Sequence, residues 1–516
     1  MAIKLQSKTF ENHRGLNDLS TIKRIEDGSL TDIINFNYVP VAEGRVHVEM
    51  REGTSKDTMT TNLTGTATQV QGIFSADFTG GNEVIFAYGD RLLQLASTPT
   101  LLQSGVTDSM FNFELYRDKL IIANVSDNLK EKSGGSNTIS DVAGSPPKFA
   151  YLHSWHNFLF GAGISANKNR LQGSDLADRA TWPSGNIHDR PYGEITGIHS
   201  LRDTFFIFYE NHIEALTGFA SDFSNFQFSL FAHIGCISHY GIVSNGDSLF
   251  FPTRDGIYAI GGIASTDKIV GGVGLIKLDI KKIKTFWDTL DISTLGLIHG
   301  VHDAEFKRIR WSVRRSGVSV NDRELTFDYR GDVLGYAKTE GRSISSYTLG
   351  KNSTTGVWEV KYGDSRTDSN GGIIYKLSSS ATDDDGTAIV GTLITKNYDF
   401  DAPDQDKRFM SVDILAKGNT SSVDTDMSYG VGNFPDFSNT KRFTTDNLIT
   451  YDTALQYDDG HTYAEDVFTN YRIGIRRRGK SLALKFVSET KGELIRIAGW
   501  TINYQKSTLK KAGTDV

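Results

Sequence analysis

The sequence predicts an all-β protein: a six- or seven-bladed β-propeller with an N-terminal extended arm and a C-terminal β-sandwich-like domain. Three observations predict it. Apolar and polar residues alternate at a period of two almost throughout. The 51 glycines mark many tight turns, the 30 phenylalanines and 20 tyrosines favour strands between them, and only 9 prolines interrupt. A unit of strand, short polar turn and strongly apolar strand recurs at about 35–55 residues, the length of one four-stranded blade.

The units follow one another along the chain. Residues 84–88 and 91–95 flank Gly89-Asp90, a hairpin signature. Arg117-Asp118 separates 113–116 from 119–123, and His156-Asn157 separates 153–155 from 158–161. Arg202-Asp203 separates 198–201 from 204–208, and Asn245-Gly246-Asp247 separates 242–244 from 248–251. A later unit joins 299–302 to 306–311, and a weaker one surrounds 358–362. These units place the propeller at 66–390, after an arm at 1–65 and before a separate β domain at 391–516. Named repeat signatures do not recur. The WD dipeptide Trp287-Asp288 lies outside the hairpin units, and double glycines such as Gly80-Gly81 do not mark every unit.

Other segments break the pattern. Residues 278–290 predict a helix inserted between blades, with Ile280, Ile283, Phe286 and Trp287 on one face. The polar Gly/Ser-rich stretch 130–145 reads as a mobile loop. Strand pieces at 32–40 and 46–53 belong to the arm, and 482–487 and 495–504 read as strands of the C-terminal domain. The composition of 418–466 gives no guide to its role.

Composition excludes several classes. The chain has 516 residues with 62 acidic and 55 basic side chains, a formal charge of −7. That argues against a protein that wraps nucleic acid by neutralising phosphates. No apolar run approaches the length of a membrane-spanning helix, and residues 1–8 lack the apolar core of a signal peptide. The single cysteine, Cys236, excludes an internal disulfide or a cysteine-rich zinc site.

Candidate chemistry is sparse. His233, Cys236 and His239 supply metal-ligand types. A spacing of three puts strand neighbours on opposite faces, so Cys236 is expected as a small buried residue. The run Thr382-Asp383-Asp384-Asp385-Gly386 resembles half a calcium loop, or a degenerate Asp-box with Ile389 in place of the aromatic. It lacks the bidentate Glu and reads as a solvated turn. Basic patches occur at Lys281-Lys282-Ile283-Lys284, at Arg308 with Arg310, at Arg314-Arg315 and at Arg476-Arg477-Arg478. They suit DNA phosphates, but solvated strand faces or subunit interfaces are the expectation in a net-negative chain. Gly271-Gly272-Val273-Gly274 lacks the Lys-Ser/Thr ending of a phosphate loop. No Gly-x-Ser-x-Gly occurs. No catalytic, cofactor-binding or metal-ligating residue is assigned, no cofactor is expected, and the chain is not expected to be an enzyme.

Three stretches carry a resemblance. Asn35-Phe36-Asn37-Tyr38-Val39-Pro40, Gly44-Arg45 and Arg51-Glu52-Gly53 are similar to the opening "N-x-x-x-x-P … G … R-x-G" of tail proteins from short-tailed bacteriophages. The run from Ile195-Thr196-Gly197-Ile198 through Phe206-Ile207-Phe208, Glu214-Ala215-Leu216-Thr217-Gly218, Gly235-Cys236-Ile237-Ser238 and Leu249-Phe250-Phe251 to Asp255-Gly256-Ile257-Tyr258 resembles their nozzle proteins. These are also called packaged-DNA stabilisation or tail tubular proteins. Thr395-Lys396-Asn397-Tyr398-Asp399-Phe400 with Lys407-Arg408-Phe409 resembles the strand that opens their C-terminal domain.

The resemblance implies a homohexameric ring at the distal end of the tail, below an adaptor ring and beside fibre, spike or needle proteins. The terminal segments build the ring and the propeller lies outside or below it. Such a ring retains packaged DNA and lets it pass at ejection, as a virion component assembled in the host cytoplasm. A neutral or acidic lumen favours such passage. Two rival functions are carried beside it: a propeller glycoside hydrolase or lyase on surface polysaccharide, and a receptor-binding tail module.

Overall fold

The computed structural model describes residues 5–11, 13–18, 25–41, 45–59, 63, 69–218, 221–261, 274–278, 280–330, 335–352, 355–366, 372–418, 422–432, 435–445 and 468–507. Strands hold 57% of the described residues and helices 4%, so the fold is all-β. No helix among the described residues is long and apolar enough to cross a membrane.

Five strands come first: β1 (Gln6–Phe10), β2 (Leu30–Ile34), β3 (Phe36–Pro40), β4 (Val46–Met50) and β5 (Gly53–Lys56). Five antiparallel sheets of four sequential strands follow. The first holds β6 (Val70–Phe78), β7 (Gly81–Tyr88), β8 (Arg91–Gln94) and β9 (Thr100–Ser104). The second holds β10 (Asn112–Tyr116), β11 (Lys119–Ala123), β12 (Lys130–Ser133) and β13 (Ser140–Asp141). The third holds β14 (Tyr151–Trp155), β15 (Phe158–Ile164), β16 (Asn167–Gly173) and β17 (Ile187–Asp189). The fourth holds β18 (Ile195–Leu201), β19 (Thr204–Tyr209), β20 (Ile213–Thr217) and β21 (Gln227–Ala232). The fifth holds β22 (Val243–Ser244), β23 (Ser248–Thr253), β24 (Gly256–Gly261) and β25 (Leu275–Lys277).

A sixth run of four adjacent strands is β26 (His299–Asp303), β27 (Arg308–Val313), β28 (Arg323–Asp328) and β29 (Gly335–Glu340). The next three strands are β30 (Ile344–Lys351), β31 (Trp358–Asp364) and β32 (Ile374–Ser378), and β5 is the fourth strand of their sheet. The chain ends with β33 (Gly391–Thr395), β34 (Lys407–Gly418), β35 (Val423–Val431), β36 (Asn439–Thr445), β37 (Thr469–Gly479), β38 (Leu482–Ser488) and β39 (Ile495–Lys506).

Turn chemistry explains the hairpins. Arg117 and Asp118 have φ of 49° and 60°, and His156 and Asn157 have φ of 48° and 64°. Two left-handed central residues make the tight turn that matches strand twist, and Asp and Asn tolerate that conformation. The apolar strand after each turn is buried from both sides. β23 is buried at all six residues, and Phe160 of the third sheet packs on Phe205 of the fourth at 4.6 Å. The first strands of neighbouring sheets pack together: β6 on β10, β10 on β14, β14 on β18, β22 on β26, β26 on β30, and β30 on β6.

The two ends of the chain share two sheets. One is six-stranded, in the order β3-β4-β39-β34-β37 with β1 also on β39. The other is nine-stranded, in the order β26-β27-β28-β29-β2-β33-β38-β35-β36. Leu30, Leu393 and Phe486 from the nine-stranded sheet share one core with Val48, Ile414 and Trp500 from the six-stranded sheet.

Several expectations change here. Residues 1–65, read as an arm, contribute strands to three sheets, because Leu30, Ile33 and Val48 are fully buried only by pairing with the far end of the chain. The sheet region after 391 is not set apart, since β2 bridges β29 and β33. The helix expected at 278–290 is one α-turn, α1 (Lys284–Trp287), between 3-10 turns at Ile280–Ile283 and Ile292–Leu297. Asp18 accepts from the backbone N–H of Thr285 and Phe286, which caps the turn. The loop expected at 130–145 carries β12 and β13. Strands β35 and β36 fall within 418–466, while 446–467 lie outside the described residues.

Candidate functional site

A dense, buried constellation of charged side chains lies where β5, β27, β28 and the 382–386 turn meet. The dipeptide Arg51-Glu52 leads into β5 and is buried, at 1% and 8% exposure. Arg51 donates from Nη1 to Asp384 Oδ1 at 2.9 Å and from Nη2 to Asp384 Oδ2 at 2.5 Å. This bidentate pair is the strongest arrangement open to a guanidinium and a carboxylate. Arg51 Nε donates to Asn35 Oδ1 at 2.9 Å. Asn35 has φ of 60° and also accepts from the N–H of Glu340. Gly53 is required because a Cβ there would lie 2.0 Å from the carbonyl oxygen of Asp383. The spaced Asn, Arg and Gly of the N-terminal motif are therefore one structural unit.

Glu52 faces the other way. Its Oε1 accepts from Arg310 Nη2 at 2.5 Å, and its Oε2 accepts from Asn37 Nδ2 at 2.8 Å. Arg310 is fully buried and also donates to Asp303 at 3.0 Å and Glu324 at 2.8 Å. Tyr347 Oη donates to the second oxygen of Glu324 at 2.6 Å. Arg308 donates to Asp328 at 3.0 Å, and Arg342 donates to the carbonyl of Glu52 at 2.5 Å. Burial raises the Glu52 carboxyl, and Arg310, Arg308 and Arg342 more than reverse this, holding it far below the usual range. Burial likewise opposes ionisation of Asp384, but Arg342 and Arg51 hold it at about 2.

Two sequence expectations are corrected by this network. Arg308 and Arg310 are neither solvated nor placed to touch DNA; both are interior members of ion pairs. The 382–386 run is not simply a solvated turn, because Asp384 faces inward to Arg51 and Arg342. A polar cleft of about 280 Å³ adjoins the network, lined in part by Arg342, Tyr362, Arg366, Asp384 and Asp385. Arg366 engages Asp364 there. Asp384 is held ionised, the opposite of the raised carboxyl a glycosidase acid needs.

The other candidates separate. His233 is exposed, while Cys236 is buried and donates from Sγ to the carbonyl of Ser238 at 3.2 Å. His239 Nε2 lies 2.9 Å from Asn112 Nδ2. Among the described residues, no three His, Cys, Asp or Glu side chains are grouped to hold a metal ion. Burial pushes the Cys236 thiol up to about 12, so it is inert as a nucleophile. Cys236→Ala is expected to leave the fold intact, with less than about 1.5 kcal/mol lost as for a small core truncation, and a thiol reagent should find no reactive group in the native wild type. Lys284 pairs with Asp288 and Arg315 with Asp322. Gly271, Gly272 and Val273 lie outside the described residues.

Sequence reading missed a grouping of histidines: His153, His199 and His299, on the first strands β14, β18 and β26, gather near His239 on the 3-10 turn His239–Gly241. His153 stacks on His199 at 4.5 Å and Tyr240 on His299 at 5.6 Å, while Tyr151 lies tilted against His239 at 4.6 Å. Glu114 lies 3.6 Å from His153, and the Nδ1 of His299 accepts from the N–H of Tyr347 at 3.2 Å. Burial lowers His199 to about 3, helped by neighbouring His153, and lowers His299 to about 4. Burial and nearby histidines hold His239 well below its ordinary value. These folded values lie below the unfolded value of about 6.5, so the unfolded chain takes up protons first as pH falls. The histidine contribution is complete above pH of about 6.5 and is lost toward pH 3–4, where loss from Glu52 and Asp384 follows. Urea midpoints should therefore decline between pH 7 and pH 5. A flat midpoint across that window would contradict neutral buried histidines.

No protein-family model matches the chain, and no curated protein matches it significantly.

Proposed function

We propose that this chain is a structural virion protein that forms the distal tail nozzle ring, retains packaged DNA and provides the channel for its ejection. The observation that carries the reading is the interleaving of both chain ends. β1 and β4 pair with β39, and β2 pairs with β33, in two packed sheets, so the terminal segments build one body, as the resemblance to nozzle proteins implies. The seven successive four-stranded units are read as blades of a seven-bladed propeller. Their adjoining first strands, and β5 completing the unit that packs back on β6, support that closure. The buried ion network ties the two parts, since Arg51 and Glu52 link β5 to β27, β28 and the 382–386 turn. A load-carrying ring needs such a tie, because pressurised DNA acts on the body while the blades stay attached through few strands.

The test is to assemble particles without this chain. A nozzle predicts heads that package DNA and then lose it. A receptor-binding module predicts DNA-filled particles that fail to adsorb, and a free polysaccharide-degrading enzyme predicts particles of normal content. Either of the last two results overturns the proposal.

A further inference from the structure

Of the four basic patches in the sequence, only Arg476-Arg477-Arg478 stays an exposed, uncompensated cluster. The cause is a β-bulge. Phe409 pairs with Arg477 and Ser411 with Gly474, so Ile475 and Arg476 together oppose Met410. Arg476 takes φ of 51°, a left-handed conformation that favours glycine and costs an arginine about 1–2 kcal/mol. Ordinary strand alternation would turn the middle arginine inward. Here Arg476, Arg477 and Arg478 are all exposed.

The neighbours add charge of the same sign. Arg408 on β34 is exposed and directly opposite Arg478, and Lys480 is exposed just beyond β37. Like charges facing across strands are unfavourable. Elsewhere in these sheets the arginines are matched: Arg472 pairs with Asp413 at 2.7 Å and Arg442 with Asp426 at 2.7 Å. Among the described residues no carboxylate lies within ion-pair distance of Arg408, Arg476, Arg477, Arg478 or Lys480. Arg477 donates to Asn439 Oδ1 at 2.6 Å and feels Asp436 only at longer range, and Arg478 reaches Ser507 Oγ at 3.4 Å.

We infer that this edge of the six-stranded sheet contacts the phosphate backbone of duplex DNA. A row of guanidinium groups along an edge strand matches a linear polyanion and offers bidentate contacts to phosphate. The other exposed positions of β37 are Thr469, Asn470, Arg472 and Gly474, without the aromatic or apolar centre that a protein interface needs. In a chain of net charge −7, one local patch makes a point of retention while the remaining surface lets DNA slide. The choice of DNA as the polyanion rests on the nozzle reading.

The experiment uses the purified full chain and a fluorescein-labelled 20-bp duplex, with anisotropy read across a salt series. Wild type should bind with a log–log salt slope of about −3 to −4, as four or so phosphate contacts give. R476Q/R477Q/R478Q should flatten the slope by about 2–3 and weaken binding at least tenfold at about 100 mM salt. R476K/R477K/R478K should keep the slope, which separates lost charge from lost fold. The control K281Q/K282Q should bind as wild type. An unchanged slope in the Gln variant overturns the inference. So does aggregation of that variant with DNA binding intact, which assigns the arginines to guarding a sheet edge. Salt-sensitive self-association of a wild type that does not bind DNA also overturns it, in favour of a second copy. Particle composition is a separate readout: DNA binding by a chain absent from particles keeps the patch and removes the nozzle.

Discussion

Arg310→Met is expected to cost about 3–5 kcal/mol of folding stability, the loss found when one partner of a buried ion network is removed. Arg310 is fully buried and contacts Glu52, Asp303 and Glu324, which are themselves 8%, 4% and 1% exposed. Methionine fills much of the volume but leaves three carboxylates without their shared cation. Some would take up protons, so the deficit should shrink at low pH, where the wild type is itself losing stability. Arg310→Lys should not rescue fully, since one ammonium cannot reproduce a fork that reaches three acceptors. Equilibrium urea unfolding of each variant measures this. A loss below about 1 kcal/mol would mean the network adds no more than an exposed ion pair does.

Removing residues 1–56 is expected to abolish cooperative folding. The deletion takes β2 from between β29 and β33, and β5 from the edge of the β30–β32 sheet. It also removes Leu30, Ile33 and Val48, each fully buried, and both Arg51 and Glu52. Burying each such side chain contributes about 1.5–3 kcal/mol, so the sum exceeds a typical stability of about 5–15 kcal/mol once the lost pairing is included. Limited proteolysis should show rapid cleavage of the truncated chain across 299–507. A truncated chain that resists protease as the full chain does would restore the reading of 1–65 as an extended arm.

Much of the fold is legible because hairpins are local. The polar pairs Gly89-Asp90, Arg117-Asp118 and His156-Asn157 sit between apolar runs, and each joins two paired strands. The terminal sheets are less legible because their register is set at long range, as when Gln6 pairs with Tyr504. The ion network is least legible of all. Arg310 and Glu52 are 258 residues apart and Arg51 and Asp384 are 333 apart, so neither partner announces the other. Alternation in β27 points the other way: Arg308 and Arg310 share a polar face opposite Ile309 and Trp311, as in a half-exposed strand, yet every residue is buried. A charge in such a strand requires a buried partner, and sequence alone does not say which carboxylate supplies it. The exposure of three successive arginines depends on one left-handed residue, which no local rule places at Arg476.

The nozzle proposal is tested most directly by counting this chain in purified phage particles against the portal, using quantitative mass spectrometry. The account predicts about six copies per particle, as a six-fold cyclic ring with a head-to-tail interface requires. Absence from the particle would contradict it, and a multiple of three well above six would reassign the chain to a fibre.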